Sequence, residues 1–153
     1  MQENEYRIRP MDRKEVDVAV EAIDAYDRPF FPADRTHFIR SWVNKAGCTA
    51  LGVMHDGNLA GYGVMRRCRS GYKTGPLCAD SPKLAEALFL TLKSGITPAE
   101  GFCLDTPEIN RAAVELAERS DMNVVFETAR MYTGGNPDMP LNRLFGVTSF
   151  GLG

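Results

Sequence analysis

The stretch of the sequence best suited to binding chemistry is 79–85, where an apolar, strand-like run passes directly into a helix-like run. The first backbone N–H groups of a helix have no partner inside the helix, and the helix dipole adds partial positive charge there. A junction of this kind suits a phosphate group or a carbonyl oxygen. The sequence therefore predicts a binding site for such a group at the start of this helix.

A second set of residues that could bind an anion clusters on a predicted hairpin and consists of Arg66, Arg67, Arg69 and Lys73. Guanidinium and ammonium groups recognise carboxylates and phosphates. The alternative is a solvated turn whose charges face water. The sequence alone leaves both interpretations open.

Other common site chemistries are absent from the sequence. Cys48, Cys68, Cys78 and Cys103 lie far apart with no CxxC pair, which favours free thiols packed as small apolar side chains over zinc ligands or disulfides. No Ser-His-Asp, metal-ligand or GxGxxG spacing occurs. The sequence therefore predicts no metal site.

The composition is typical of one globular domain, with 153 residues, 44% of them hydrophobic and 25% charged. The net charge of −2 argues against nucleic acid as a partner, because such proteins usually present a basic face. The polar start MQENEYRIRP and the absence of a long apolar run argue against a secretory signal and a membrane span. We expect a single cytoplasmic domain over residues 1–153.

Hydrophobic periodicity and turn residues predict the elements that position these groups. The predicted strands are 5–11, 48–54, 59–65, 72–79, 102–104, 122–129 and 143–150, with a hairpin turn at Asp56-Gly57. The predicted helices begin at Asp12, which forms a capping box with Glu15, at Asp34, at Asp80 or Ser81, and at Asn110. In the second helix, Phe38, Trp42 and Val43 form the predicted apolar stripe. We expect a mixed α/β domain whose mostly antiparallel sheet carries helices on both faces.

This order of elements resembles the GNAT superfamily, the Gcn5-related N-acyltransferases. The segments FFPADRTHFIRSW, HDGNLAGYGVMRRCRSGYKTGPLCAD, LDTPEIN, TARMYTG and FGVTSFGLG resemble, more specifically, the C-terminal GNAT domain of tandem bacterial acetyltransferases. The resemblance covers Phe30 to Gly153, and the opening IRPMDRKEVDVAVE is similar to the first strand and helix of a GNAT domain. It implies a sheet of about seven strands. It also implies transfer of an acetyl group from acetyl-CoA to an amine of a small molecule or protein, and a homodimer.

The resemblance further implies where acetyl-CoA binds. The coenzyme would lie in a V-shaped gap between the strand Tyr72–Ala79 and the strand 101–105, with its pantetheine arm paired to the backbone of 75–79. Its pyrophosphate would lie on the loop into the following helix. The residues implied to contact the coenzyme are Gly75, Leu77, Cys78, Ala79, Lys83, Leu84, Ala85 and Asn110.

Two segments depart from the pattern of the family. Its phosphate loop is usually Arg/Gln-x-x-Gly-x-Gly/Ala, and of the corresponding residues 80–85 only Ala85 fits. A carboxylate at Asp80 facing a pyrophosphate would cost roughly 1–4 kcal/mol, which the ammonium of Lys83 could offset. Ala117 occupies the position of the tyrosine that protonates the departing thiolate in the family.

Proton transfer would then fall to other residues. Asp105, at the end of the fifth strand, is the candidate base, and its alternative role is to cap the loop before Thr106-Pro107. Tyr132 is the candidate acid, and its alternative is an ordinary half-buried aromatic residue. Glu127 and His37 are expected to face solvent.

Three hypotheses follow for the function. The first is an N-acetyltransferase that uses acetyl-CoA. The alternative is a catalytically degenerate GNAT-fold ligand-binding or regulatory partner module, which the altered loop and the missing tyrosine favour. The third is a structural dimer subunit.

Overall fold

The computed structural model describes residues 6–11, 16–97 and 99–150, with side chains in the first helix described from Ala19 onward. These residues form six strands, four α-helices and two short 3-10 helices. The strands are β1 (Tyr6–Pro10), β2 (Cys48–His55), β3 (Asn58–Arg67), β4 (Tyr72–Ala79), β5 (Phe102–Leu104) and β6 (Leu144–Gly146). The α-helices are α1 (Val16–Asp27), α2 (Thr36–Val43), α3 (Pro82–Lys93) and α4 (Arg111–Arg119), and the 3-10 helices are Arg28–Phe30 and Leu141–Arg143.

The strands form one sheet in the order β1-β2-β3-β4-β5, and β6 also pairs with β4. Neighbouring strands are antiparallel except β4 and β5, which are parallel. The predicted mixed, mostly antiparallel sheet is confirmed, with one strand fewer than expected in the described part of the chain. The β2–β3 turn is also confirmed, because Asp56 and Gly57 both have positive φ, as a two-residue hairpin turn requires.

Two apolar cores cover the two faces of the sheet. On one face, Ile23 of α1 and Ile39 of α2 pack with Tyr62 of β3. On the other, Leu88 of α3 and Leu116 of α4 pack against the sheet. The predicted placement of helices on both faces is therefore confirmed.

The helix caps agree with the sequence at two of the described helices. The Ser81 hydroxyl accepts a bond from the backbone N–H of Leu84, and the Asn110 side chain accepts one from Ala113. At α2 the prediction was one residue off, because Arg35 occupies the cap position. Asp34 instead accepts bonds from the backbone N–H and the hydroxyl of Thr36. The proposed capping box of Asp12 and Glu15 lies outside the described residues.

The buried stripe of α2 also differs from the prediction. Ile39 and Val43 are buried, whereas Phe38 and Trp42 are partly buried and stack on each other with ring centroids 5.2 Å apart. The buried face of α2 is therefore displaced by one residue from the predicted one, and the two aromatic rings lie at the edge of the core.

Two predicted strands were wrong in whole or in part. Residues 122–140, which include the predicted strand 122–129, form no helix or strand, and the last strand is limited to Leu144–Gly146. A run with high β-propensity becomes a strand only where a neighbour accepts its backbone hydrogen bonds. In the described chain, β6 takes the free edge of β4, and Val124, Val125 and Phe126 remain exposed.

Candidate functional site

The strands β4 and β5 part after a short pairing, and this parting defines the gap predicted from the sequence. They pair only from Tyr72 to Thr74 on β4. Between the register pairs Gly63–Leu77 and Met65–Thr74, β3 contributes one residue and β4 contributes two, Gly75 and Pro76. This extra residue is a β-bulge, which bends its strand and increases the local twist. The bulge therefore directs the second half of β4 away from β5.

The gap between β4 and β5 holds a stretch of the chain itself, Leu144–Thr148, which we call the gap segment. It contains β6, whose Leu144 and Gly146 are in register with Cys78 and Leu77 of β4. The backbone N–H of Val147 donates a 2.8 Å hydrogen bond to the carbonyl oxygen of Asp105, directly after β5. The gap segment thus bonds to both strands that border the gap.

Side chains around the gap bind the carbonyl oxygens of the gap segment. The amide Nδ2 of Asn110 donates a 2.8 Å bond to the carbonyl of Leu144, and the Thr106 hydroxyl donates a 3.3 Å bond to the carbonyl of Phe145. Asn110 was expected to contact the coenzyme. In this structure its Nδ2 atom bonds to the gap segment, while its Oδ1 atom caps α4.

The gap segment is buried like a core strand. Phe145 is 0% exposed and packs in the core beneath α3 and α4, whereas Leu144 and Val147 pack in the core beneath α1 and α2. The segment therefore contributes side chains to both faces of the sheet, as an interior strand does.

Two glycines make this close packing possible. A Cβ atom at Gly75 would lie 2.3 Å from the carbonyl oxygen of Val147, and one at Gly146 would lie 2.6 Å from Cδ1 of Leu104. Distances below 3.0 Å are not found for real Cβ contacts. The space between β4 and the gap segment therefore has no room for even a methyl group at Gly75.

The end of the gap near Gly75 is surrounded by aromatic and cationic side chains. Trp42 donates a 2.9 Å bond from its indole Nε1 to the carbonyl of Gly75. The Arg66 guanidinium lies 4.9 Å from the centroid of the Trp42 ring and donates a 3.2 Å bond to the carbonyl of Thr148. Of the predicted basic cluster, Arg66 therefore contributes to the gap.

A buried polar network that no sequence motif predicts lies next to this end of the gap. Arg35 makes two bonds to the Asp27 carboxylate, of 2.6 and 2.7 Å, and the Tyr62 hydroxyl donates a third, of 2.5 Å. Arg35 also donates a 3.3 Å bond to the hydroxyl of Thr148. In the sequence, Asp27 and Arg35 are opposite charges eight residues apart across the proline-rich break. This is not a spacing at which side chains pair along a helix.

Burial shifts the pKa values of groups in and beside this network. Complete burial, and then the charge of Asp27, raise the pKa of the Tyr62 hydroxyl well above its ordinary value of 10.0. Burial likewise raises the pKa of the Cys78 thiol well above its ordinary value of 9.0. Both groups are therefore held neutral, and the Cys78 thiol is not a nucleophile in this state.

The predicted phosphate loop has a cation that the sequence analysis missed. Asp80 pairs with Arg143, at 3.2 Å, and accepts a 2.8 Å bond from the Tyr26 hydroxyl. The Arg143 guanidinium also lies 5.1 Å from the Tyr26 ring centroid. Arg143 therefore offsets the carboxylate of Asp80, a role expected of Lys83.

The other residues of this loop take different positions. Lys83 is exposed, with its ammonium 5.9 Å from the ring centroid of Tyr6. Leu84 and Ala85 are buried in the core. The start of α3 therefore presents Lys83 and Arg143 as cations, which suits the anionic phosphates expected there.

The two residues predicted to move protons lie in different surroundings. Asp105 is largely buried and pairs with the ammonium of Lys73, which also lies 5.2 Å from the ring centroid of Phe150. Tyr132 lies on the irregular stretch 122–140 and is 39% exposed. His37 and Glu127 are exposed, as expected.

No group of three or more His, Cys, Asp or Glu side chains that could hold a metal ion occurs among the described residues. Cys48, Cys68, Cys78 and Cys103 are free thiols. Among the same residues, none of the helices has the length and apolar character needed to cross a membrane.

In this conformation the site can bind the pyrophosphate of the coenzyme implied by the resemblance, but not its pantetheine arm. The start of α3 offers cations to a pyrophosphate. The backbone edge of Leu77 and Cys78, expected to pair with the pantetheine arm, is already paired with the gap segment. In this conformation the arm has no place between β4 and β5.

Comparison with known proteins identifies relatives of the chain. Residues 23–146 match the family model of the acetyltransferase (GNAT) domain. The holothin acyltransferase of Pseudoalteromonas sp. (strain SANK 73390) is 19% identical over 134 residues, which are 88% of this chain and 46% of that protein.

Two solved structures are similar in fold. A candidate acetyltransferase from Pyrococcus horikoshii aligns with a TM-score of 0.70 and 24% identity, over 87% of this chain and 43% of that one. An aminoglycoside acetyltransferase from an uncultured soil metagenomic sample, in complex with sisomicin, aligns with a TM-score of 0.62 and 10% identity, over 86% of this chain and 97% of that one. The chain thus spans about half the length of the holothin acyltransferase and of the Pyrococcus protein.

Proposed function

Because the chain belongs to the GNAT acetyltransferase domain family, we propose that it transfers an acetyl group from acetyl-CoA to an amine of a small molecule or protein. The observation that carries the proposal is the parting of β4 from β5 at the bulge, with the cationic start of α3 directly beyond β4. Such a gap beside a helix N-terminus suits a long ligand with an anionic end.

We assign each step of the transfer to a residue of this chain. The amine nitrogen attacks the thioester carbonyl, the carbon–sulfur bond breaks, and the acetyl group remains on nitrogen. Asp105 accepts the proton that the amine loses, and Tyr132 supplies a proton to the departing thiolate. Lys83 and Arg143 bind the phosphates of the coenzyme. We further propose that the chain acts in the cytoplasm.

The test is an assay of acetyl transfer with a panel of amines that includes aminoglycosides, polyamines and peptides with a free N-terminus. Release of the coenzyme's thiol and a gain of one acetyl mass on the amine would support the proposal. Asp105→Asn is expected to lower the rate by about 10²–10⁴-fold, the usual contribution of a general base. Glu127→Gln, an exposed carboxylate outside the gap, is the matched control. The absence of an acetylated product with every amine, even at millimolar acetyl-CoA, would contradict the proposal.

A second function is favoured by the occupied gap. A GNAT domain whose coenzyme groove is filled by its own chain could serve as a regulatory or partner module. The greater length of the holothin acyltransferase and the Pyrococcus protein agrees with this alternative, because each has room for a second domain. Calorimetry with acetyl-CoA distinguishes the two functions. An acetyltransferase binds the coenzyme, whereas a module of this kind would not bind it, whether its groove is closed or open.

A further inference from the structure

The gap segment is held by contacts that would serve any extended chain. Most of its polar contacts involve its own backbone, through β4, the Asp105 carbonyl and the side chain of Asn110. Backbone contacts of this kind are the basis of strand addition, in which an extended ligand completes a sheet edge. The gap is therefore a groove for an extended ligand that carries amide groups.

The pantetheine arm of a coenzyme is such a ligand, since it is a narrow chain with two amides. The edge of β4 that it would use is the edge that Leu144 and Gly146 now occupy. Because the carbonyl of Val147 leaves no room for a methyl group at Gly75, the groove cannot hold both chains at once. Binding of one requires departure of the other.

The stretch of chain that precedes the gap segment permits the segment to leave the groove. The gap segment follows the short 3-10 helix Leu141–Arg143 and, before it, residues 122–140, which form no helix or strand. Its removal would therefore break none of the other strand pairings. The cost falls on the burial of Leu144, Phe145 and Val147 and on the hydrogen bonds of the segment. The two arrangements therefore differ in one element of the sheet.

We propose that Leu144–Thr148 is an intramolecular inhibitory strand that closes the coenzyme groove and must leave before the pantetheine arm can bind. This inference rests on the proposed function, because it takes acetyl-CoA as the ligand of the groove. The closed form lowers the apparent affinity for the coenzyme in proportion to the fraction of molecules that are open.

The groove contains a natural reporter of its opening. Cys78 is 0% exposed, is in register with Leu144 and packs in the same core as Leu144 and Val147. Departure of the gap segment would uncover this thiol. In a C48S/C68S/C103S background, the rate at which a thiol reagent labels Cys78 measures opening without any coenzyme.

The test uses the full chain in that background with Gly146→Val, whose branched side chain must displace the Leu104 side chain and crowd Leu77, since a Cβ atom alone would lie 2.6 Å from Leu104 Cδ1 and 3.3 Å from Leu77 Cβ. Gly135→Val is the matched control, because a Cβ atom at Gly135 would meet nothing within 4 Å. We expect Gly146→Val to accelerate Cys78 labelling and to tighten acetyl-CoA binding in calorimetry, each about tenfold or more, as a larger open fraction requires. The control is expected to change neither quantity.

A synthetic Leu-Phe-Gly-Val-Thr peptide provides a second measurement. Added to the Gly146→Val variant, it is expected to slow Cys78 labelling and to weaken coenzyme binding again. If coenzyme binding were equal in wild type and variant while labelling increased, the inhibitory strand would be refuted and the proposed function would stand. If no variant bound acetyl-CoA although Cys78 labelled rapidly, the proposed function would be refuted, and competition for the groove with it.

Discussion

The indole of Trp42 donates a 2.9 Å hydrogen bond to the carbonyl oxygen of Gly75, and this bond joins α2 to the bulge of β4. The bulge leaves a carbonyl without a ladder partner, and the indole N–H supplies one. The helix that follows the proline-rich break therefore helps to fix the position at which β4 leaves β5.

Replacement of Trp42 by Phe tests the strength of this link. Phe keeps an aromatic ring beside Phe38 but cannot donate to the Gly75 carbonyl. We expect the free energy of unfolding to fall by about 1–3 kcal/mol, the cost of leaving a buried acceptor unpaired. Urea denaturation followed by circular dichroism measures the change. Trp42→Phe with an unchanged midpoint would show that water satisfies the carbonyl equally well.

The buried ion pair between Asp27 and Arg35 is expected to be a major contributor to stability. Asp27→Asn keeps the shape of the side chain but removes the charge that pairs with the guanidinium. An unpaired buried charge costs about 3–5 kcal/mol, a large share of the stability of a small domain. Chemical denaturation checks this value. Asp24→Asn is the matched control, because Asp24 pairs with the largely exposed Arg28, and its loss should cost about 1 kcal/mol or less.

Stability should decrease in alkaline solution because of two tyrosines, the fully buried Tyr62 and the partly buried Tyr26. Burial raises the pKa of Tyr62 and of Tyr26 above their ordinary value of 10.0. Each group is therefore still protonated in the folded protein when it ionises in the unfolded chain. For the fully buried Tyr62 this contribution is complete below pH 10 and is lost as the pH rises further, by about 1.4 kcal/mol per pH unit. The contribution of the partly exposed Tyr26 is smaller, because solvent screens its interactions.

Tyr62→Phe should therefore make the decrease above pH 10 less steep by about 1.4 kcal/mol per pH unit. Denaturant titrations at several pH values give the slope. Equal slopes for Tyr62→Phe and wild type would mean that the Tyr62 hydroxyl is accessible to ionisation in the folded state.

The start of α3 should govern the affinity for the coenzyme's phosphates. Lys83→Glu replaces a cation by an anion in the first turn of the helix, where we propose that the pyrophosphate binds. In the Gly146→Val background, in which we expect the groove to be open, acetyl-CoA should bind about tenfold more weakly, since a nearby charge of this kind contributes on the order of 1 kcal/mol. Calorimetry at low and high salt should show that the difference shrinks with ionic strength.

Lys93→Glu, in the last turn of the same helix, is the matched control for this measurement. It makes the same change of charge at the opposite end of α3. An equal loss of affinity in both variants would indicate a general effect of net charge. It would place the phosphates away from the start of the helix.

The sequence predicted the elements whose signals are local. β4 and β5 have the predicted bounds, and the caps at Ser81 and Asn110 are confirmed, because a strand's apolar run and a helix cap depend on a few neighbouring residues. The choice between residues 122–129 and Leu144–Gly146 as a strand could not be made in this way. It depends on which run reaches the free edge of β4, and that is decided by tertiary packing.

The candidate site was predictable in outline but not in its contents. The gap is implied by the resemblance to the GNAT superfamily, and the helix beside it follows from the order of elements. The partners of Asp27 and Asp80, by contrast, are Arg35 and Arg143, and the second of these lies 63 residues along the chain from Asp80. Asp27 and Arg35 meet across the break between two helices, and Asp80 and Arg143 meet only in the folded chain, so neither pair leaves a periodic signal in the sequence.

The irregular stretch 122–140 has a consequence for handling the protein. Arg130 and Met131 are both exposed on a part of the chain without helix or strand, where a protease such as trypsin can fit the backbone into its cleft. A cut at this bond would sever the gap segment from α4, while its hydrogen bonds and buried side chains would still hold it in the groove. The nicked protein would then be a complex of two pieces, and dilution would release the second piece as a free peptide.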